Sequence, residues 1–400
     1  MNLNELLYDR DLPTLILLST FGLGWHAPAC AQDEDGETHL ITHHAGPVSI
    51  DGGITWILQA SDGAPANTTA LSYSLDLGLA APVSKHGRVV IALEAGDGKG
   101  VDPVISPLSN TNYDAFYTNL MNTSPDSTNV VVTSVSQVYY EGSDLDDRLV
   151  MSIGKIDVHG KFDDNAYAND ETDQFLSAMF VRSPGTSYAE LDQYYAPGVA
   201  LGLSPSKSVD LTFIAANGKG DGFDNVFDSM YLVAQANIKP QLGGRDGNYR
   251  FYALSDHRPY TKIMGGTKTS NTALGLSFDQ SIYNGVGLFA RYSTQDDGIA
   301  ENIVKSSWSL GALLEGALWG RGRDTAGFGY GIANLNDKAN LAAALGTGNT
   351  GDESHLEMFY KVGLSQHFTL TADVQLLNNI GGNAAADTVR IAGMRGQINF

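Results

Sequence analysis

Leu370, Ala372, Val374 and Leu376 alternate one for one with Thr369, Thr371, Asp373 and Gln375. The same beat runs through Leu356, Met358, Tyr360, Val362 and Leu364, which alternate with Glu357, Phe359, Lys361 and Gly363. It recurs in Leu71, Tyr73, Leu75, Leu77 and Leu79, set against Ser72, Ser74, Asp76 and Gly78. A strict period of two means a strand with one apolar and one polar face. Each run lasts roughly nine to eleven residues, against about five or six in an ordinary soluble strand, and that length suits a tilted strand crossing a bilayer. A soluble sandwich would alternate too, so the pattern leaves open where the apolar face points.

Sixteen such segments are predicted along the chain. They lie at 47–60, 70–80, 88–96, 128–141, 147–157, 196–204, 207–216 and 228–239 in the first part. The remainder lie at 247–255, 272–282, 286–294, 306–317, 325–333, 354–364, 368–379 and 388–400. An even count with short turns alternating with long loops is the plan of a bacterial outer-membrane barrel. The connections at 283–285 and 364–368 are short, whereas 97–127, 158–195 and 334–353 are long and polar. The expected fold is therefore all-β, a transmembrane antiparallel barrel of about 16 strands over residues 47–400.

Composition removes several other classes. Forty-five acids against 24 bases give a formal net charge of −21, the wrong sign for a nucleic-acid partner. Eighteen Tyr, 15 Phe and 4 Trp are too many aromatics for a disordered acidic chain. No apolar run of about 18 residues follows position 31, which excludes a bundle of membrane helices. Residues 1–31 read as a signal peptide: Leu12 to Gly24 is apolar and Ala29-Cys30-Ala31 is a small-x-small cleavage pattern. Cys30 is the single cysteine, so cleavage leaves no disulfide framework. Residues 32–46 read as a polar periplasmic leader.

Signatures of catalysis are thin. G-x-S-x-G, H-E-x-x-H and the P-loop are absent, so no enzyme and no cofactor are expected. His39, His43 and His44 have a spacing that binds metal only on a helix. Asp221, Asp224 and Asp228 miss the calcium-loop register, leaving Ca²⁺ at an acidic extracellular loop as a minor expectation.

The sequence closes on Phe400, with Ile398, Met394 and Ala392 on its face and Asn399, Gln397 and Arg395 on the other. A terminal aromatic on an amphipathic strand resembles the signal read by the barrel assembly machinery, although Gly396 interrupts the usual apolar run. Residues 153–181, IGKIDVHGKFDDNAYANDETDQFLSAMFV, strongly resemble a block in carbohydrate-selective porins of the OprB type. GNYRFYAL at 247–254, LGLSFDQSIYNGVGLFARYS at 274–293, WSLGALLEGALWGRGRD at 308–324 and ADVQLLNNIGGN at 372–383 follow in the same order. The closing block departs at Ile380, where the family tends to have proline. The resemblance implies a sixteen-stranded barrel, monomeric or trimeric, that sits in the outer membrane of a Gram-negative-type bacterium and passes sugars by diffusion through a charged constriction.

The residues themselves point to a charged lumen. With the apolar face on lipid, the other face carries Asp76, Glu94, Arg250, Asp279, Arg291, Glu315, Glu357, Lys361, Asp373 and Arg395. On the lipid side an Arg or Lys at mid-depth would cost about 2–4 kcal/mol. The loop 158–195 is the candidate constriction, folded inward, with Asp163, Asp164, Asn165, Asp170, Glu171, Asp173 and Gln174 facing the pore and Phe162, Tyr167 and Phe175 packing it to the wall. Arg250, Arg291, Arg321 and Arg323 are expected opposite those acids, with Asp279 beside them. The partners expected are outer-membrane lipid, sugars and the assembly machinery through Phe400; monomer and homotrimer both stay open. The competing reading is a secreted acidic all-β domain that binds or degrades polysaccharide through the same loop.

Overall fold

The computed structural model describes residues 31–32, 38–39, 43–63, 66–115, 132–144, 146–186, 195–219, 223–338 and 351–400. Residues 1–30, with Cys30 and the cleavage pattern before Ala31, lie outside the described residues, as does Asp221.

Sixteen long strands close into one barrel. They are β1 (Val48–Asp62), β2 (Thr68–Ser84), β3 (Gly87–Asp97), β4 (Val132–Asp144), β5 (Leu149–Asp157), β6 (Tyr195–Ser206), β7 (Val209–Asn217) and β8 (Met230–Ile238). The second half holds β9 (Arg245–Asp256), β10 (Asn271–Tyr283), β11 (Val286–Gln295), β12 (Val304–Glu315), β13 (Thr325–Leu335), β14 (Glu353–Gly363), β15 (Phe368–Asn378) and β16 (Val389–Asn399). Each strand pairs antiparallel with its sequence neighbours, and β16 returns to β1 with Ile398 opposite Ile54 and Arg390 opposite Asp62. Closure leaves no open edge, the condition for a sheet to cross a membrane.

The alternation sorts the faces as polarity demands. Leu58, Leu71, Phe213, Leu274, Leu310, Phe328, Met358 and Val374 are exposed on the outer wall. Residues of the opposite parity on these strands, Gln59, Ser72, Thr212, Ser277, Ser309, Glu357 and Asp373, are buried inside. A slip of one residue in any pair would exchange the two sets, so the pattern itself fixes the register. Aromatic rings stand on the outer wall: Trp56 stacks on Phe368 with centroids 5.8 Å apart, and Trp319 Nε1 donates to the Tyr360 hydroxyl at 3.1 Å.

The two ends of the barrel differ. At one end the strands join through 85–86, 145–148, 207–208, 284–285 and 364–367. At the other, β3 joins β4 through 98–131, β5 joins β6 through 158–194 and β13 joins β14 through 336–352. Short periplasmic turns and long extracellular loops orient the barrel. Two of the long connections turn back into the lumen, and the buried apolar residues gather there. Phe175, Met179, Phe180 and Val181 pack on Phe289 and Phe359, while Val158 and Phe162 pack on Tyr139, Ile214, Tyr231 and Tyr252. The core of this protein is the contact between its wall and its own loops.

Candidate functional site

The first inward loop, 158–186, begins with a 3-10 turn at His159–Lys161 and ends in the short helix α2 (Ala178–Val181), whose N-cap Ser177 accepts from the Met179 N–H. Between them the backbone crosses the lumen, where an unpartnered N–H or C=O is costly. The wall supplies the partners. Asp163 N–H donates to Gln235 Oε1 at 2.9 Å, and Ala166 N–H donates to Asp279 Oδ2 at 3.2 Å. Leu176 and Ser177 N–H donate to the two oxygens of Glu357 at 2.6 and 3.0 Å. From β16, Arg395 donates to the carbonyls of Glu171 and Gln174 at 2.7 and 2.9 Å.

Glycine makes room for this contact. A Cβ on Gly329 would come within 2.7 Å of the Phe180 ring, and one on Gly331 within 2.7 Å of Met179. Both face inward on β13, so Gly329 and Gly331 form the flat strip on which α2 lies, while Gly327, the next in the alternation, makes room for the Phe359 ring. That alternation was the available signal for the docking strip.

Charge holds the loop at several points. Arg291 on β11 pairs with Asp163 (Nε to Oδ1, 3.3 Å) and donates to the Asp163 carbonyl at 2.6 Å and to those of Ala168 and Phe180. Arg250 meets Asp279 at 2.6 Å, and Asn165 Nδ2 donates to the Phe278 carbonyl at 3.0 Å. Lys361 Nζ sits 2.6 Å from Asp173. Asp170 folds the loop on itself, accepting from Thr172 N–H at 2.8 Å and Asp173 N–H at 3.1 Å, while Gln174 Oε1 accepts from Asn169 N–H at 2.7 Å.

The expected site residues thus divide. Asp163, Asn165, Glu171, Arg250, Asp279 and Arg291 are all 9% exposed or less, and they fix the loop to the wall. Asp164, Asp170, Asp173 and Gln174 keep a half-buried face. Burial pushes the Asp164 carboxyl up to about 6, against the pull of Arg250, Arg182 and Arg291. Burial lowers the Lys161 ammonium, which Glu141, Asp157 and Asp164 favour. His159 is held neutral, well below its ordinary value, by burial and then by Arg182.

Arg321 and Arg323 are not brought to this group. They lie exposed in the turn 316–324 between β12 and β13, at the short-turn end. Nor do the histidines realise a helical spacing: His43 and His44 lie in a short extended segment, His43–Ala45, paired with the start of β1. Among the described residues, no three His, Cys, Asp or Glu side chains form a group that could hold a metal.

A second inward loop, 98–115, lies within the long polar connection 97–127, whose sequence carries no mark of a constriction. Its short helix α1 (Asp102–Ile105) is followed by a turn closed by Asp102, whose carboxylate accepts from Thr111 N–H at 3.0 Å, Asn112 N–H at 3.3 Å and the Thr111 hydroxyl. Burial raises the Asp102 carboxyl, and those donors oppose the shift. Glu353 on β14 accepts from Leu108 and Ser109 N–H at 2.9 and 3.2 Å, and from Gly381 N–H at 2.7 Å. The two loops then join: Tyr113 N–H donates to the Leu176 carbonyl and Ala178 N–H to that of Asn110, each at 2.9 Å. Ser177, His355 and Glu353 form a chain, Oγ to Nδ1 at 3.1 Å and Nε2 to Oε1 at 2.7 Å. All three are at most 1% exposed, so the chain ties loop to wall and offers no nucleophile to a solute.

The family described as "Carbohydrate-selective porin, OprB family" matches residues 60–400. The chain belongs to this family. The porin is similar in fold to the high-pH structure of Pseudomonas putida OprB, with a TM-score of 0.71 at 14% identity over 88% of this chain and 94% of that one. It is also similar to the outer membrane channel DcaP of Acinetobacter baumannii, with a TM-score of 0.54 at 10% identity over 88% and 97% of the two chains. An uncharacterized protein of Aquifex aeolicus is 28% identical over 227 residues, 57% of the porin; the match spans 59% of that relative. Family and barrel together place the porin in a Gram-negative outer membrane as a multi-pass β-barrel.

Proposed function

We propose that the porin lets sugars and similar small neutral solutes diffuse across the outer membrane, without catalysis, through the water-facing space its two inward loops leave beside the wall. One observation carries this reading: charges of both signs remain in contact with solvent on that wall and on the loop edge. Asp76, Arg88, Glu94 and Asp114 are all half-buried, as are Lys161 and Asp164. Arg88 meets Glu141 at 2.7 Å, Lys161 lies 3.8 Å from the same carboxylate, and Ser74 donates to Asp114 at 2.7 Å. Such a lining exchanges hydrogen bonds with hydroxyls and binds none of them tightly, as conduction requires. The buried anchors set the width of the passage, and the half-buried charges set its preference. Acids outnumber bases over the whole chain, which gives the mouth a modest preference for cations that fades as salt screens it. Phe400 carries the assembly signal.

A planar-bilayer recording tests this. Sugar added to both sides should lower the single-channel conductance in a graded manner, and a potassium chloride gradient should give a cation-selective reversal potential at low salt. Conductance indifferent to sugar, or anion selectivity at low salt, would contradict it.

A further inference from the structure

Among the described residues, the two most exposed aromatic rings are Phe227 and Phe223, at 85% and 68%. Other exposed rings, such as Phe213, Phe251 and Phe328, stand on the lipid-facing wall. These two stand in the connection from β7 to β8, residues 218–229, at the same end as the loop 158–194 and so on the extracellular side. Two such rings within five residues exceed the scattered apolar exposure that every surface carries.

Hydrogen bonds hold the hairpin that carries them. Gly218 N–H donates to the Ser229 carbonyl at 2.7 Å, one step beyond the β7–β8 pair of Asn217 and Met230. Asn217 Nδ2 donates to the Asp224 carbonyl at 3.5 Å, and Asp228 N–H donates to that of Asn225 at 2.9 Å. Asn225 turns the chain between the two rings with a φ of 50°, a left-handed conformation that Asn tolerates. Asp224, Asn225 and Asp228 are exposed beside the rings, and of the residues between the rings only Val226 is half-buried.

We propose that the tip 223–228 is an extracellular capture site for neutral oligosaccharides, with Phe223 and Phe227 under the C–H faces of sugar rings and Asp224, Asn225 and Asp228 accepting from their hydroxyls. The inference deepens the reading of sugar passage and rests on it. The chemistry of the tip selects this ligand. A phenyl ring offers flat apolar area to the C–H face of a pyranose, while carboxylates and an amide oxygen accept from hydroxyl donors. A lipid chain is excluded, because hydrocarbon would strand two carboxylates out of water. Acids at the tip and a net charge of −21 repel an anion. A protein partner calls for a contiguous apolar patch, and here two exposed polar residues, Asp224 and Asn225, lie between the rings. Two rings acting together favour a chain of sugars over a single unit.

Fluorescence of the Phe227→Trp porin, in a detergent without a sugar headgroup and read as the difference from the wild-type protein, tests the site with maltohexaose as the probe. The emission should change saturably with maltohexaose and bind glucose more weakly. Adding Phe223→Ala should weaken the apparent affinity about fivefold, the order expected when one aromatic contact is lost. Should Phe227→Trp not reach the heat-modifiable barrel form, Phe223→Trp takes its place, with Phe227→Ala as the weakening change. Swelling of liposomes that hold the wild-type porin, in glucose, checks passage separately. Swelling without an emission response would overturn the capture site alone, whereas a response without swelling would overturn passage and leave the capture site standing. A response undiminished by the alanine change would also overturn the site. So would an altered oligomeric state of the Phe223→Ala/Phe227→Ala protein in light scattering, which would make the tip a protein contact.

Discussion

Arg291 and Asp163, 128 residues apart in sequence, meet in a buried ion pair that joins the barrel wall to the loop crossing its lumen. The same guanidinium takes the carbonyls of Asp163, Ala168 and Phe180, so one side chain holds both limbs of the loop. Removing one partner of a buried pair costs about 3–5 kcal/mol, because the other charge is stranded. Arg291→Met should therefore release the loop while the sixteen-strand wall still closes. Single-channel conductance is expected to rise and become noisier, with heat-modifiable migration retained. A wild-type conductance in this variant would show that the pair does not hold the constriction.

Glu353 does the same for the second loop. Its carboxylate takes N–H groups from residues 108, 109 and 381, and each buried donor left bare costs about 1–3 kcal/mol. Glu353→Ala should raise amide exchange at 106–113 well above wild type and widen the channel, whereas Glu353→Gln, which keeps one acceptor oxygen, should fall between. Exchange unchanged in both variants would place the restraint elsewhere.

Asp164 makes the lumen pH-sensitive. Burial raises its folded pKa to about 6, above its ordinary 3.8. Between those values the folded loop binds more protons than the released one, so its seating is firmest at acid pH and weakens as pH rises through the window. The added negative charge also appears over that range. Cation preference should increase from pH 5 to pH 7 with a midpoint near 6, and Asp164→Asn should flatten the change. A midpoint near 4 would contradict the burial.

Phe400 closes the barrel. Its backbone exchanges two hydrogen bonds of 2.9 Å with Gly52, and its ring fills the place of a side chain on that glycine, 2.9 Å from where a Cβ would stand. Deleting Phe400 should lower outer-membrane levels several-fold, and Gly52→Val should do so with Phe400 still present. Normal levels of both variants, measured in fractionated membranes, would remove the residue from the assembly account.

Much of this architecture is legible in the sequence because a barrel wall is a local pattern. The predicted segment 207–216 is the strand Val209–Asn217, and 368–379 is Phe368–Asn378. Phe162 and Phe175 announce a packed inward loop for the same reason: aromatic rings need a wall. Burial of Asp163, Asn165 and Glu171 is not local, since it depends on Gln235, Asp279, Arg291 and Arg395 arriving from four other strands. The loop 98–115 has a single large aromatic, Tyr113, and is seated by backbone donors on Glu353, which leave no mark on its composition. Arg321 and Arg323 were readable from strand parity alone: a connection from an even to an odd strand lies at the end opposite the loop 158–194.

The rate at which solutes enter liposomes containing the porin tests passage through this lumen most directly. A neutral hydroxylated solute feels neither sign of the lumen charge and is limited by width and hydrogen-bond exchange, whereas an anion of similar size meets the acidic mouth. Liposome swelling should be faster in glucose than in gluconate, with the gap narrowing as salt rises. Faster entry of gluconate, or no swelling in glucose, would contradict passage of neutral sugars through this lumen.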